Sequence, residues 1–557
     1  MIEYMWNMLN FSFESNWLLG LAIGVSVVNA LLLCVIVYRL VHVFQLGGYR
    51  FRPFVKWLAD MRIAFYVRLF ALSLLSFGAM FIVNIIFDRW QDLVAISYAS
   101  LIFYFTFAIV FCLNILRKKE KVKLRFTARV IRLFVLLFIV FAVISYTIIW
   151  TGSEGVGGYV RFSFIAFIPL LVPPLLIIVN YLIFPLEAII RYHYVRVAKR
   201  KLHSKEFENL VRIGITGSYA KTSCKNILAD MLSKKYKVAK SPSSYNTPMG
   251  FARTVNDVLV NGDEVLIFEM GLRYKRNIRQ LAKMFKPQHA ILTAIGTQHI
   301  ETMKTVEAII AEKSELVKAI PPDTGIAVLN GDSEGCVKIY ENLDVKDKIL
   351  TKVGKSKSKY FADKISVSKD GCEFDLVLGD EMVRCKTTLL GKHNIENIAM
   401  CATMAHKLGV SGEQIAESIS ELKPTPHRLE LIKGASGVIV LDDSYNASEQ
   451  GTRAALDVLS LFNGKKVVQT PGIIEQGKNQ GKVNFVYARE ISKVADEVII
   501  VNEVNREALV EGLKSLEFPL EKIHLVKDLE GAKGLYSKLL SSGDVLLIAN
   551  DLPDNFA

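Results

Sequence analysis

Five runs of mostly apolar residues, each long enough to cross a bilayer, crowd into the first third of this chain. They fall at about 17–41, 64–87, 93–116, 127–150 and 162–186, and a spanning helix needs about 20 residues. That many runs exceed what a cleaved signal peptide alone would supply. The rest of the composition agrees. Charged residues make up 22% and hydrophobic residues 51% of 557 residues, yet the mean hydropathy is +0.31. A soluble enzyme of this charge density rarely has a positive mean, so the apolar residues are segregated. Disordered, collagenous and small disulfide-framework classes are excluded. The seven cysteines contain no CxxC pair, which argues against a structural zinc site or a secreted disulfide scaffold.

The loops between the runs set an orientation. Residues 1–16 hold no Lys or Arg. Arg50, Arg52, Lys56 and Arg62 follow the first run, and Arg117, Lys118, Lys119, Lys121, Lys123 and Arg125 follow the third. None lies in 151–160, and Arg191, Arg196, Lys199, Arg200 and Lys201 follow the fifth. The basic loops alternate, so the positive-inside rule predicts an outside N-terminus and a cytoplasmic C-terminal bulk, in a multi-pass protein of a bacterial-type cell membrane. The +14 net charge is largely explained this way, and the bilayer is the expected partner rather than nucleic acid. Residues 50–62 read as an amphipathic helix for the cytoplasmic face. Pro169, Pro173 and Pro174 in the fifth run predict a kink or a cleft. Asn29, Asn84 and Asn180 lie within runs and are expected to bond between helices.

From about residue 205 the pattern changes. Short apolar strands alternate with helical stretches (VRIGIT, EVLIFEMG, HAILTAIG), which predicts a mostly parallel sheet covered by helices. Residues 360–390 read as antiparallel strands. A second α/β series begins near 435, with a boundary near Pro424 and Pro426. The expected fold is an α-helical membrane domain (1–200) followed by two α/β domains, a central one (201–426) and a Rossmann-like one (427–557).

One motif carries the chemistry. Strand VRIGIT runs into Thr216, Gly217, Ser218, Tyr219, Ala220, Lys221, Thr222 and Ser223, and a helix follows. That layout turns backbone N–H groups and a helix N-terminus toward phosphate. Lys221 is placed to reach the terminal phosphates and Thr222 to hold Mg²⁺.

The string TGSxxKTS resembles the Mur ligases, ATP-dependent amide-bond ligases of peptidoglycan synthesis, and is most similar to the branch that adds D-alanyl-D-alanine. SYNTPMG (244–250), FEMG (268–271), AIGTQHIE (294–301), AEKSEL (311–316), LNGDS (329–333), GKHNIEN (391–397), HRLE (427–430) and DDSYNAS (442–448) agree in order and spacing. The resemblance covers about 205–557. It implies transfer of the ATP γ-phosphate to a carboxylate, then attack by an amine on the acyl phosphate. It implies that Thr222, Glu269 and His299 are metal ligands, with two Mg²⁺ ions expected, and that Lys313 carries a carbamate. It places Asn394 at adenine, Arg428 at the γ-phosphate and Asp443 near the ribose. It places Asn246, Thr247, Tyr445 and Asn446 on the acceptor side. The catalytic set is then Lys221, Glu269, His299, Lys313 and Arg428.

Three departures stand out. Ala220 replaces a glycine of the family, Ser448-Glu449 replaces the usual N-N or N-P continuation, and spans occupy the place of the soluble domain that holds the uridine nucleotide. The expected function is therefore a membrane-anchored ligase joining an amino acid or short peptide to an envelope precursor, the lipid-linked form included. A poly-amino-acid capsule synthase, a degenerate nucleotide-binding scaffold and an ATP-driven transporter are the alternatives.

Overall fold

The computed structural model describes residues 2–61, 63–86, 93–117, 123–152, 163–434, 436–445, 448–474 and 476–550. The chain divides into two compact units, one ending at Ile190 and the other beginning at Arg191.

The first unit is helical. Its long helices are Ile2–Leu46, Ile63–Ile86, Leu93–Leu116 and Ala128–Gly152, together with the part of Ile168–Leu202 up to Ile190. Among the described residues, four segments are long and apolar enough to cross a membrane: Leu19–Leu46, Tyr66–Val83, Ala128–Trp150 and Phe164–Leu202. That is one fewer than the five runs. The third run forms a helix, but its described apolar part, Ser100–Leu116, falls short of a full span. The helices are cross-linked by polar bonds, as expected of the asparagines within the apolar runs. Asn29 Nδ2 donates to Ser145 Oγ at 2.8 Å and Tyr104 Oη donates to Asn29 Oδ1 at 2.7 Å. Arg129 Nη2 donates to Asn180 Oδ1 at 3.0 Å. The Asn84 side chain lies outside the described residues. Pro173, Pro174 and Pro185 sit inside Ile168–Leu202. The amphipathic segment forms the helix Phe51–Met61, burying Phe54 and Trp57.

The second unit holds two sheets. The first has nine strands: β1 (Val211–Thr216), β2 (Val238–Lys240), β3 (Val265–Glu269), β4 (His289–Leu292), β5 (Ile326–Asn330), β6 (Asp347–Val353), β7 (Tyr360–Ser368), β8 (Gly371–Leu378) and β9 (Glu381–Thr387). Their order is β2-β3-β1-β4-β5-β6-β7-β8-β9. The pairs from β2 through β7 are parallel, while β7–β8 and β8–β9 are antiparallel. Both β3 and β5 are buried along their whole length, as expected of strands covered on two faces. Phe251, Phe268 and Phe285 meet at centroid distances of 5.4–6.5 Å, each such pair adding about 0.5–1.5 kcal/mol.

The second sheet is ordered β10-β11-β15-β12-β13-β14. Its strands are β10 (Glu430–Lys433), β11 (Ile439–Asp443), β12 (Lys466–Thr470), β13 (Glu497–Val501), β14 (Ile523–Val526) and β15 (Val545–Ala549). Only the pairing of β10 with β11 is antiparallel. The expected parallel sheets, and the antiparallel strands between them, are both present.

In the first sheet β1 lies between β3 and β4. The loop leaving β1 therefore opens at the carboxyl edge, flanked by the ends of β3 and β4, where open α/β sheets bind ligands.

Candidate functional site

The loop 216–220 joins β1 to the helix Lys221–Leu232. It is seated on its neighbours. Thr216 Oγ1 donates to Met270 O at 2.9 Å, and Ser218 N donates to Ala294 O at 2.7 Å. A Cβ on Gly217 would lie 1.9 Å from Thr293 Oγ1, so only glycine permits this approach. The Tyr219 ring lies over Gly296, where a Cβ would come within 1.6 Å of its hydroxyl. Ser223 is half-buried in the first helical turn.

Ala220 adopts φ 60°, ψ 2°. This is the left-handed region, which costs a residue with a Cβ about 1–2 kcal/mol. Ala220→Gly is therefore expected to stabilise the ligand-free protein by about 1 kcal/mol and tighten ATP binding about fivefold. Thermal melts and nucleotide titration check this; a destabilised variant would contradict it.

Lys221 turns its Nζ back on the loop, donating to Gly217 O at 2.9 Å and Ser218 O at 3.3 Å. Burial lowers its pKa, Glu269 raises it and Arg428 lowers it further. Glu269 ends β3 and is 2% exposed. Its Oε2 accepts from Thr222 Oγ1 at 2.8 Å and its Oε1 from Asn246 Nδ2 at 3.0 Å. Lys225 Nζ stands 3.7 Å from the same carboxylate and donates to Ser243 O. Burial lowers the Lys225 pKa, and Glu269 opposes that.

Lys313 is fully buried. Its Nζ donates to Ser218 Oγ at 2.6 Å, and that same oxygen accepts from Gly296 N at 2.9 Å. Burial and then the charge of Lys221 hold its amine well below the usual lysine range. His299, in a left-handed conformation at φ 67°, is held neutral. Burial first, then Lys221, Lys313 and Arg273, push it down to about 3.

The second sheet supplies Arg428, Asp443 and Tyr445. The Arg428 guanidinium lies 4.2 Å from the Tyr445 ring centroid, and its pKa responds to burial, Asp443, Tyr445 and Glu269. Tyr445 Oη donates to Ser244 Oγ at 2.9 Å. Asp443 Oδ1 accepts from Leu429 N at 3.2 Å. Burial raises the Asp443 pKa to about 7, against the pull of Arg428. The sign follows from linkage: the folded form binds the proton more tightly than the unfolded chain, so stability falls as pH rises from about 4 through 7. Asp443→Asn is expected to remove that slope, worth at most about 4 kcal/mol. Melts of ligand-free protein at pH 5 and pH 8 test it, and an unchanged slope would contradict it.

The remaining residues divide. Asn246 joins the Glu269 cluster, whereas Thr247 caps the helix Pro248–Arg253, accepting from Gly250 N at 3.2 Å. Asn394 Nδ2 donates to Leu390 O at 2.8 Å, at the first turn of the helix Lys392–Lys407. Asn446 lies outside the described residues. Ser448 caps the helix Glu449–Leu459, and Glu449 Oε1 accepts from Thr297 Oγ1 at 3.2 Å. The departure from the family pattern thus ties the second sheet's domain to the β4 loop. Among the described residues no group of three His, Cys, Asp or Glu is arranged as a metal cage.

Sequence reasoning missed Lys225 and Thr293. Lys225 was detectable, because it stands four residues beyond Lys221 and so on the same helix face. Thr293 gave no local signal; its hydroxyl donates to Tyr219 O at 2.5 Å only because β4 lies beside β1.

A phosphate loop at the edge of one α/β sheet, faced by an arginine from a second, defines a nucleotide-binding protein of two α/β domains. Residues 215–405 match the Mur ligase middle domain and residues 427–550 the Mur ligase glutamate ligase domain; the chain belongs to the Mur ligase family. It is 30% identical over 267 residues to the UDP-N-acetylmuramoyl-tripeptide–D-alanyl-D-alanine ligase of Bacillus subtilis, covering 48% of this chain and 56% of that one. The chain thus spans about half the length of that curated relative. The crystal structure of MurF ligase from Thermotoga maritima in complex with ADP is 25% identical, with TM-score 0.57 over 65% of this chain and 80% of that one. MurF from Acinetobacter baumannii, at 22% identity and TM-score 0.57 over 65% of this chain and 77% of that one, shares the fold.

Proposed function

We propose that the chain is a membrane-anchored, ATP-dependent amide-bond ligase. It would act at the cytoplasmic face on a carboxylate of a peptidoglycan-like precursor, which we infer to be lipid-linked. The amine partner would be an amino acid or a short peptide such as D-alanyl-D-alanine. The parts are a membrane domain (1–200), an ATP-binding domain (201–426) and a C-terminal domain (427–557).

One observation carries the reading: Lys221, Thr222, Glu269, Asn246 and Lys313 converge on one phosphate loop, with the Arg428 charge facing Lys221 and Glu269. Phosphoryl transfer between two anions needs cations and positioning rather than covalent catalysis. Lys221 and Arg428 supply the cations. The donor set fits Mg²⁺, a metal bound by one or two carboxylates plus substrate phosphates. Thr222 Oγ1 and Glu269 Oε2, with the neutral His299 imidazole, would hold it. Its chemistry there is charge neutralisation on the phosphate oxygens. The depressed Lys313 amine is the form from which a carbamate is made.

In the first step a carboxylate oxygen of the acceptor attacks the γ-phosphorus and ADP leaves, giving an acyl phosphate. In the second the amine nitrogen attacks the acyl carbon, phosphate leaves and the nitrogen loses a proton. The Asn246 and Tyr445 side, Thr247 and Asn446 included, is the acceptor side, and Asn394 and Asp443 are assigned to the nucleoside. Hydroxylamine trapping tests the first step. With Mg·ATP and an envelope-precursor extract, a hydroxamate is expected without any amine substrate; ADP formation with no trapped acyl group would contradict it.

A further inference from the structure

The turn Pro242–Tyr245 is closed by Tyr245 N donating to Pro242 O at 3.0 Å. Its second residue, Ser243, is not glycine yet sits at φ 46°. Such a conformation persists only when its surroundings over-determine it, and such residues cluster at ligand clamps. Here the holding group is Lys225. Its side chain is 1% exposed, although it lies on a helix whose next turn reaches the surface at Asp230. Its Nζ donates to Ser243 O while standing 3.7 Å from Glu269. The turn is gripped at two further points: Tyr445 Oη donates to Ser244 Oγ at 2.9 Å, and Asn246 Nδ2 donates to Glu269 Oε1 at 3.0 Å. Gly271 N donates to Asn246 O at 3.0 Å, and a Cβ on Gly271 would collide with the Asn246 amide at 2.6 Å. Lys225 belongs to the helix that starts at the phosphate loop, so one cation touches the nucleotide-side helix, the Glu269 carboxylate and the acceptor-side turn.

We propose that Lys225 is a positioning residue that locks the Pro242–Asn246 turn in its left-handed shape, and that this turn sets the fit of the acceptor. The proposal rests on the ligase reading for the word acceptor, but not for the lock itself. Removing Lys225 frees Ser243 to leave the strained region; glycine at 243 makes that region costless. The strain is thus the handle by which the lock is tested.

The experiment uses the full chain in nanodiscs, as Lys225→Met, Ser243→Gly and the double variant. Hydrogen exchange of the peptide 241–250 is read without substrate. Half-saturating amounts of Mg·ATP and of envelope-precursor extract are read by phosphate release with D-alanyl-D-alanine. Lys225→Met is expected to speed exchange of the peptide about tenfold, and to raise the half-saturating extract about tenfold with that for ATP within about threefold. The double variant is expected to return both to within about threefold of the parent. Unchanged exchange in Lys225→Met, equal losses for ATP and extract, or no suppression by Ser243→Gly would overturn the proposal. Should Lys225→Met fail to fold, Lys225→Arg, which keeps the charge beside Glu269, carries the same readouts. If no variant and no parent releases phosphate, the ligase reading fails, while the exchange result still decides the lock.

Discussion

Glu269→Ala is expected to cost the second unit about 3–5 kcal/mol, because removing one partner of a buried ion pair leaves the other charge uncompensated. Lys225 is that other charge, 1% exposed and 3.7 Å away. The same substitution orphans the Thr222 hydroxyl and the Asn246 amide. The melting temperature should fall by roughly 6–15 °C. In Glu269→Ala/Lys225→Met both charges are gone, so about half or more of the lost stability should return. Activity should not return, since the carboxylate assigned to the metal is still missing. Denaturant titration of the four proteins in the cycle gives the coupling energy directly. Strictly additive losses would mean that the pair does not interact.

Lys221→Ala is expected to do the opposite: little to stability and much to turnover. The Lys221 ammonium is buried; Glu269 attracts it and Arg428 repels it, and it in turn lowers the Lys313 pKa. Its own bonds go only to two loop carbonyls. Losing it gives up the attraction to Glu269 but also removes a burial cost and the repulsion with Arg428 and Lys313, so the melting temperature should move by no more than about 2 °C. The backbone donors and helix N-terminus that face phosphate remain, so nucleotide affinity should drop by less than about tenfold. Phosphate transfer should drop by about 10²–10³-fold, the usual cost of one preorganised group at developing charge. A large loss of stability without a turnover defect would contradict this assignment.

How far the sequence could be read depended on how local each feature is. The phosphate loop was legible because strand, turn and helix are contiguous from Val211 to Leu232. The switch from parallel to antiparallel pairing after β7 was legible because alternation is a local pattern. The positive φ of Ala220 was legible as a risk, since a glycine was expected there, but only the backbone gave its sign. The burial of Lys225 was not legible. A lysine in a helix reads as solvated, and what buries this one is a turn 18 residues further on together with a strand end 44 residues further on. Asn394 shows the reverse case. The motif pointed to a role at adenine, while the bond its amide makes to Leu390 O in the helix turn carried no signal of its own. Glu449 read as a defect in the family pattern, yet it meets Thr297 from 152 residues away. In the helical unit the five apolar runs were legible from composition alone, and the third of them forms the helix Leu93–Leu116.

On the reading proposed above, this fold activates a carboxylate from an envelope precursor and joins it to an amine. The most direct test is phosphate release by the full chain in nanodiscs with Mg·ATP, pooled amino acids and dipeptides, and an envelope-lipid extract, with mass analysis of the lipid fraction and Lys221→Ala alongside. Release that requires both amine and extract, an amide-mass product in the lipid fraction, and loss of both in Lys221→Ala is the predicted result. Nucleotide binding with no turnover under any combination, or turnover with soluble uridine-linked precursors alone, would contradict the account.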